Sequence, residues 1–319
     1  MTSKPYIIAE IGSNFDQSII KAKKLIDVAK SCFADAVKFQ LFSGKFLYPN
    51  DKKMQKIFKQ VELNPKWIDI LKNHANKRNI KLFFSAFDKE NLKLLISKKF
   101  LFHKIASSET VNFELIKFLN KKKFTVFLSS GMSDLDDIKK AVKKLSKSKL
   151  VIMQCTSLYP TLEKDVNLNV LKSFKKNFKN AQLGLSDHTL NDVSALTAVG
   201  MGVKYFEKHI TLNKKSKGPD HFYAYEPKEF KRYVNNIHLA YRTLGTNIKE
   251  IHPEVKKVAR LKGLYAKNDI KKGTIIKKRD IDIKSPALGL RDKEIKMILN
   301  KKTKHNILKG KPLKINFFK

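Results

Sequence analysis

Cysteine is scarce in this chain of 319 residues: Cys32 and Cys155 are its two cysteines, and they lie far apart in the sequence. Two such thiols cannot form a disulfide framework, and no CxxC pair occurs. No run of about 18 apolar residues is present, which excludes a transmembrane helix. The segment PYIIAEIG near the N-terminus lacks a basic n-region and a cleavage site, so we expect no signal peptide. These absences predict a soluble, cytoplasmic protein.

Acidic residues are also few. The chain has 29 Asp and Glu against 67 Lys and Arg, a formal net charge of +38, and only six of the cations are arginines. Recognition of phosphates and base edges favours the planar arginine side chain, so an excess made of lysine is weak evidence for nucleic-acid binding. We therefore expect neither a nucleic-acid nor a membrane partner. At 42% hydrophobic residues, the chain can bury a substantial core.

Short apolar runs alternate with longer lysine-rich segments along most of the chain. Each run has the length and the β-branched or aromatic content of a strand buried on both faces. The eight runs are residues 6–12, 34–40, 80–87, 101–107, 124–130, 150–156, 181–186 and 202–209.

The segments between these runs have helical patterns. Apolar residues recur at three- and four-residue spacing in 18–30. Segment 133–147 begins at Ser133, a predicted N-cap, and segment 226–244 has Pro227 at its predicted start. Eight strands alternating with helices predict a (β/α)8 TIM barrel over residues 1–245. A doubly wound sheet is the alternative, but no glycine-rich dinucleotide loop follows an early strand.

The sequence changes character after the predicted barrel. Residues 246–262 are polar and are interpreted as a linker. In residues 263–319 the turn signals IKKG and LKG separate short β-like runs, which predicts a small β-rich domain. A domain of this size has only a marginal core of its own.

Polar residues collect at the C-terminal ends of the predicted strands, where such a barrel carries its chemistry. A few polar core residues or misplaced strand ends would explain single cases, but not a pattern on all eight strands, because buried ionisable groups are costly. We interpret the pattern as a catalytic rim. Its members include Glu10, Lys38, Gln40, Ser85, Lys104, Ser107, Glu109, Ser129, Ser157, Ser186, His188, Glu207 and His209.

Two features of this rim indicate which ligands it binds and which kind of reaction it catalyses. His188 and His209 close adjacent strands, so both imidazoles can converge on one divalent metal that keeps open positions for substrate. Lys38, Lys104 and several serines form a cationic, donor-rich mouth that suits a phosphate or carboxylate ligand. A metal beside an anion pocket, without a nucleotide fingerprint, indicates carbon–carbon bond chemistry on a small phosphorylated acid.

The strand-end motifs, in order, resemble those of the sialic acid synthase family. They are AEIGSNFD, ADAVKFQ, KIASSE, SSGMS, QCTSLYPT, GLSDHT, FEKHITL and KGPDH. The resemblance covers essentially the whole chain, and LYAKNDIKKGTII resembles that family's antifreeze-like (SAF) domain. It implies condensation of phosphoenolpyruvate with N-acetylmannosamine or a related acetamido sugar, giving a nonulosonic acid and phosphate. It also implies a homodimer in which the SAF domain swaps onto the partner subunit.

The resemblance further implies individual roles. His188 and His209 would hold the divalent metal, Mn²⁺ with Mg²⁺ or Co²⁺ as alternatives. Glu10 occupies the position of the acid/base glutamate, and Lys104 and Glu109 are the other predicted catalytic residues. The predicted phosphoenolpyruvate site consists of Lys38, Ser85, Lys104, Ser107, Ser129, Ser157 and Ser186. The predicted sugar site consists of Gln40, Phe87, Glu109, Tyr159 and Asp220.

The chain departs from the family pattern in the barrel at two places. After the first strand, the usual NHxG reads NFDQ, and we expect Phe15 to remove a polar group from the rim and reshape the sugar pocket. Before the second strand, Phe33 replaces a common glycine, for which we expect a packing change.

A third departure lies in the C-terminal domain, where the usual RPGxG reads KSPALG, with Ser285 before the proline. Lys284 or Arg291 would have to substitute for the usual arginine, without its geometry at that site. This departure concerns the acceptor sugar rather than the reaction type. Another phosphoenolpyruvate or aldol condensation on the same barrel is one alternative function. A noncatalytic polyanion-binding protein is the other alternative function, but such a protein would not require the catalytic rim.

Overall fold

A computed structural model describes residues 4–257 and 261–319. The chain separates into two units, Met1–Gly245 and Thr246–Lys319. The segment predicted as a linker contains the short helix α11, Pro253–Lys257, and its residues 258–260 lie outside the described residues.

Eight parallel strands close into a barrel in the first unit, and the last strand pairs with the first. None extends more than one residue beyond the apolar run that predicted it, so the predicted barrel is confirmed. The strands are β1 Tyr6–Gly12, β2 Ala36–Leu41, β3 Lys81–Ala86, β4 Phe102–Ile105, β5 Thr125–Ser129, β6 Lys149–Cys155, β7 Gln182–Asp187 and β8 Tyr205–His209.

Helices follow the strands around the barrel. Helix α1 begins after Ser18, whose hydroxyl accepts a hydrogen bond from the backbone of Lys21, and α10 begins at Pro227 as predicted. Across residues 4–257 and 261–319, no helix has the length and apolar character needed to cross a membrane. The helices of this unit are α1 Ile19–Ser31, α2 Gly44–Leu47, α3 Lys52–Lys59, α4 Ile68–Lys77, α5 Lys89–Ser97, α6 Phe113–Lys117, α7 Leu135–Lys144, α8 Val170–Asn177, α9 Val193–Gly200 and α10 Pro227–Thr243.

The N-cap of α7 differs from the prediction. Asp134, and not Ser133, precedes the helix, and its carboxylate accepts hydrogen bonds from the backbone N–H groups of Asp136 and Asp137. One carboxylate thus satisfies two of the N–H groups that a helix leaves unpaired at its start, and its charge also suits the helix dipole.

The inward-facing side chains of the strands change from apolar to polar along each strand. Near the start of the strands, a cluster inside the barrel contains Ile8, Phe83 and Phe127. Glu10, Ser85 and Ser129 each lie two residues further along the same strands. They face the barrel interior as well, because alternate residues of a strand share a face. The outward-facing residues pack against the helices in a second, larger cluster. The polar ends therefore meet inside the barrel mouth, over an apolar floor.

The second unit is small and β-rich, as predicted. Strands β9, Gly263–Ala266, and β10, Ile281–Lys284, pair in antiparallel orientation, and isolated bridges join the surrounding segments. Among its described residues, this unit has its own core of buried apolar side chains: Leu264, Ala266, Ile270, Ile276, Leu290, Ile298, Ile307, Leu313 and Phe318.

Phe33 has a conformational effect rather than the packing effect that we expected. It follows the C-cap of α1 with φ at 67°, in the left-handed region that commonly ends helices. Its side chain is 58% exposed and lies beneath Lys231, whose Nζ is 5.3 Å from the ring centroid. Because glycine adopts this conformation without strain, the family's usual residue suits the turn better.

Replacing Phe33 with glycine should therefore stabilise the protein. A bulky residue in this conformation is strained by about 1–3 kcal/mol, and glycine removes that strain. The greater conformational entropy of glycine in the unfolded state offsets part of this gain. We expect Phe33→Gly to raise the free energy of unfolding by about 1 kcal/mol in chemical denaturation. Asn79→Gly is the control, because Asn79 has the same conformation after α4 but tolerates it well. Equal effects of the two substitutions would contradict the explanation.

Candidate active site

A narrow cavity of about 50 Å³ lies at the carboxyl ends of the barrel strands. All eight strands, or the residues directly after them, contribute to its wall. The wall is formed by Glu10, Lys38, Gln40, Ser85, Phe87, Lys104, Ala106, Ser107, Ser129, Cys155, Tyr159, Ser186, His188, Glu207 and His209.

Four charged side chains form an alternating array at the bottom of this cavity. Lys38 Nζ lies 2.8 Å from Glu10 Oε2 and 3.5 Å from Glu207 Oε2. Lys104 Nζ lies 2.6 Å from Glu207 Oε1. Each of the four residues is at most 4% exposed. Because isolated charges are very unfavourable at such burial, the array holds its members together as a unit.

The two glutamates of the array have opposite pKa shifts. Burial raises the pKa of Glu10, and the charge of Glu207 adds to this effect against the attraction of Lys38. Burial opposes ionisation of Glu207 as well, but Lys104 and Lys38 outweigh it and lower the pKa. A pair of carboxyl groups whose pKa values move apart commonly divides into a proton-transfer group and a fixed anion. Glu10 fits the first role and Glu207 the second.

The two histidines face each other, with ring centroids 5.5 Å apart. His188 Nδ1 lies 2.9 Å from the carbonyl oxygen of Thr156, so this nitrogen carries the proton. His209 Nδ1 lies 3.5 Å from the hydroxyl of Tyr223, which itself donates to Asp220 at 2.7 Å. Burial lowers the pKa of His188 to about 3 and that of His209 to about 4. Both rings are therefore neutral at pH 7, with Nε2 as the basic nitrogen.

These features fit a divalent cation. Neutral imidazoles whose Nδ1 is fixed by a carbonyl or hydroxyl group are the usual ligand form of histidine, and the ring spacing allows both Nε2 atoms to reach one ion. Within residues 4–257 and 261–319, no group of three or more His, Cys, Asp or Glu could hold a metal. His188 and His209 are thus a two-residue candidate, at which water and substrate oxygens would complete the coordination.

Most residues of the predicted phosphoenolpyruvate site lie together in this cavity, and Ser157 is the exception. Its hydroxyl is buried beside Gly131, where a side chain on Gly131 would clash with it and with Ser107. Ser107 also accepts a hydrogen bond from the Gly131 N–H at 3.1 Å. The residues that do line the cavity are Lys38, Ser85, Lys104, Ser107, Ser129 and Ser186.

The predicted sugar residues separate into three groups. Gln40, Phe87 and Tyr159 line the cavity, and Gln40 donates to Glu10 at 2.8 Å. Asp220 instead borders a second, larger cavity, held by hydrogen bonds from Ser13 and Tyr223. Glu109 lines neither cavity, since its carboxylate accepts hydrogen bonds from Ser108 and Asn112 in its own turn. The geometry gives no support to a catalytic or sugar-binding role for Glu109.

Cys155 and Tyr223 belong to the site but were missing from the predicted set, and Glu207, a member of the predicted rim, was assigned no role. Glu207 and Cys155 lie on the inner faces of β8 and β6, so strict two-residue alternation along the strands would have drawn attention to both. Tyr223 belongs to the segment after β8, and its contact with His209 depends on a loop conformation that no local pattern predicts.

The expected effect of Phe15 on the sugar pocket was wrong. Phe15 is completely buried outside the barrel mouth, where its ring packs 6.1 Å from Phe39 and 6.2 Å from Trp67. The other departure in that motif, Gln17, does reach a cavity, and it lines the larger one beside Asp220.

Comparison with known proteins agrees with this geometry. A sequence profile of the NeuB family matches residues 25–249, and a profile of the SAF domain matches residues 262–319. The chain belongs to the NeuB family, a family of nonulosonic acid synthases.

Individual relatives resemble the chain over most of its length. N,N'-diacetyllegionaminic acid synthase from Campylobacter jejuni is 34% identical, over 90% of this chain and 92% of that protein. The human N-acetylneuraminate-9-phosphate synthase is 32% identical, over 85% of this chain and 80% of that protein. A crystal structure of the N-acetylneuraminic acid synthetase from Leptospira borgpetersenii, in complex with citrate, has a TM-score of 0.75 at 30% identity and covers 79% of this chain and 89% of that one.

Removing the charge of Glu207 should destabilise the protein strongly. Glu207→Gln leaves Lys38 and Lys104 with one carboxylate between them, and breaking a buried pair in this way costs about 3–5 kcal/mol. Chemical denaturation measures the loss. Glu90→Gln is the matched control, because Glu90 pairs with Lys93 on the surface, and we expect it to lose only a small fraction of that amount. Similar losses for both variants would show that the array does not hold the site together.

Proposed function

We propose that this protein condenses phosphoenolpyruvate with N-acetylmannosamine or a related acetamido sugar, giving a nine-carbon nonulosonic acid and phosphate. It is then a transferase that forms a carbon–carbon bond. The proposal rests on one observation above all: a buried array of two lysines and two glutamates lies beside two neutral histidines in the barrel mouth. The similarity to relatives that are nonulosonic acid synthases supports it.

The lysines suit phosphoenolpyruvate, which carries a phosphate and a carboxylate. Lys38 on β2 and Lys104 on β4 both line the cavity and both contact Glu207, and several serines line the cavity with them. The hydroxyl of Ser85 is buried without a hydrogen-bond partner among the described residues, so it is available to an incoming oxygen. Charge-assisted hydrogen bonds from these donors are strong at this burial. The substrate anion would take over part of the role that the glutamates have in the free protein.

We assign to Glu10 the proton transfer that the reaction requires. It takes a proton from the water that adds to C2 of phosphoenolpyruvate, while C3 bonds to the aldehyde carbon of the open-chain sugar. This proton passes to the aldehyde oxygen, and the second proton of the water leaves with the phosphate. Lys38 and Lys104 stabilise the phosphate as the bond between C2 and the bridging oxygen breaks and the C2 ketone forms. His188 and His209 would hold a divalent cation, Mn²⁺ with Mg²⁺ or Co²⁺ as alternatives, which would supply Lewis-acid polarisation of the aldehyde.

Phosphate release tests this function directly. The purified protein is stripped of metal, resupplied with Mn²⁺ and phosphoenolpyruvate, and given N-acetylmannosamine, a 2,4-diacetamido-2,4,6-trideoxy hexose or no sugar. We expect phosphate release with at least one sugar and none without sugar, and loss of release when a chelator is added. Absence of phosphate release with every acceptor, or release that continues in the presence of the chelator, would contradict the proposal.

The role of Glu10 predicts a loss of turnover in Glu10→Gln. General acid–base groups contribute about 10²- to 10⁴-fold, so we expect a fall of that order in kcat, with binding of phosphoenolpyruvate retained. Because the pKa of Glu10 is raised, the wild-type rate should fall with decreasing pH already above the usual range of a glutamate, as the carboxylate becomes protonated. Surface Glu90→Gln serves as control. Phosphate release by Glu10→Gln at the wild-type rate would overturn this role.

The homodimer with swapped SAF domains stays a prediction from the family resemblance. Sedimentation at assay concentration tests it, and we expect a dimer. A monomer that is fully active at the same concentration would contradict both the dimer and a contribution of Lys284 or Arg291 from a partner subunit.

A further inference from the structure

A buried ion pair lies directly behind the two histidines of the site. Asp187 precedes His188 at the end of β7, and Lys208 precedes His209 in β8. Because alternate residues of a strand face opposite sides, both side chains point outward, into the layer between the barrel and its helices. Neither residue belongs to the wall of the catalytic cavity, yet each is at most 2% exposed. The steps of the proposed reaction use neither of them.

The pair joins two neighbouring strands at the ends that carry the histidines. Asp187 and Lys208 are direct partners in the register of β7 and β8. Lys208 Nζ lies 3.1 Å from Asp187 Oδ2, and it also donates a hydrogen bond to the backbone carbonyl of Thr189. One ammonium group on β8 therefore contacts the residue before His188 and the residue after it.

The carboxylate of Asp187 also holds the turn around His188. Its Oδ1 accepts hydrogen bonds from the backbone N–H of Thr189 at 2.9 Å and from the Thr189 hydroxyl at 2.8 Å. Hydrogen bonds to a charged group are stronger than those between neutral groups. The backbone on both sides of His188 is thus fixed by contacts that depend on Asp187 and Lys208.

The same lysine also contacts the segment that holds His209. Lys208 Nζ lies 4.4 Å from the ring centroid of Tyr225 and 5.4 Å from that of Tyr233 on α10, which is within the range of a cation–π interaction. The backbone N–H of Tyr225 donates to the carbonyl oxygen of His209 at 2.9 Å. Lys208 therefore connects the backbone segments next to both histidines.

Stability alone does not require an ion pair at this position. Apolar side chains of similar volume often stabilise a core as well as a buried ion pair does. A buried pair can instead specify one arrangement, because each charge is costly wherever its partner is missing. A slip of β8 along β7 by one residue would separate Lys208 from Asp187. The same slip would move His209 relative to His188, so the pair selects one spacing of the two rings.

We propose that Asp187 and Lys208 are positioning residues of the metal site, and that their ion pair holds the two histidines at the spacing at which both Nε2 atoms reach one divalent cation. This inference rests on the metal site of the proposed function, but not on the identity of either substrate. Groups that orient metal ligands typically contribute about 10- to 100-fold to metal affinity. Loss of the pair should therefore weaken binding of Mn²⁺ at least about tenfold.

Binding of Mn²⁺ alone to the metal-free, full-length protein tests the inference, with free Mn²⁺ measured by electron paramagnetic resonance. Lys208→Met leaves the Asp187 carboxylate unpaired, whereas the double variant Asp187→Asn/Lys208→Met removes both charges. The midpoint of chemical denaturation is measured for each metal-free variant. We expect a higher midpoint for the double variant than for Lys208→Met, because no unpaired buried charge remains. The Kd for Mn²⁺ should be raised at least about tenfold in both.

This separation of metal affinity from stability distinguishes a positioning role from a purely structural one. If the pair only stabilised the fold, the double variant would regain Mn²⁺ affinity together with stability. Leu95→Ala is the matched control, because Leu95 is fully buried on α5, which follows β3 on the opposite side of the barrel. The cavity left by this substitution should lower the denaturation midpoint, and the Kd for Mn²⁺ should stay unchanged.

The possible failures can be told apart. A double variant that binds Mn²⁺ as tightly as the wild type overturns the inference and leaves the proposed function intact. An equal loss of Mn²⁺ affinity in Leu95→Ala also overturns it, because affinity would then follow stability. Absence of Mn²⁺ binding to the wild type contradicts the metal site of the proposed function, and the inference fails with it.

Discussion

The whole site depends on the pairing of buried charges. Burying a carboxylate or an ammonium group is costly unless an opposite charge lies against it, and Glu10, Lys38, Lys104 and Glu207 meet that condition only together. The register of the barrel strands brings opposite charges together, because Glu10 on β1 is the direct neighbour of Lys38 on β2. A shift of one residue along either strand would turn one member outward among the helices.

This array also explains how a rigid barrel can prepare for an anionic substrate. In the free protein the glutamates hold the lysines in place and neutralise them, so in the proposed function the lysines would need no reorganisation when phosphate and carboxylate groups bind. Glu207 keeps its charge because two lysines face it, whereas Glu10, with a single lysine and a nearby second carboxylate, has a raised pKa. The pKa values of the two glutamates shift in opposite directions because Glu207 has two cationic neighbours and Glu10 has one.

Much of this arrangement could be predicted from the sequence, because strands that are buried on both faces leave a strong local signal. The strand ends, the paired histidines and the lysine–serine mouth all follow from that alternation. Contacts made by loops could not be predicted. Phe15 lies in the core and Glu109 bonds within its own turn, while Gln17 donates a hydrogen bond to the backbone carbonyl of Glu62. The contacts of Phe15 and Gln17 join residues that are distant in sequence, and no local pattern encodes them.

The central claim is that the array and the histidines serve a condensation in which water adds to C2 and the bond between C2 and the bridging oxygen breaks. Phosphoenolpyruvate labelled with ¹⁸O at the bridging oxygen tests it most directly. The account predicts that the released phosphate carries the label, and that release requires an acetamido sugar. Unlabelled phosphate, or labelled phosphate released without any sugar, would contradict it.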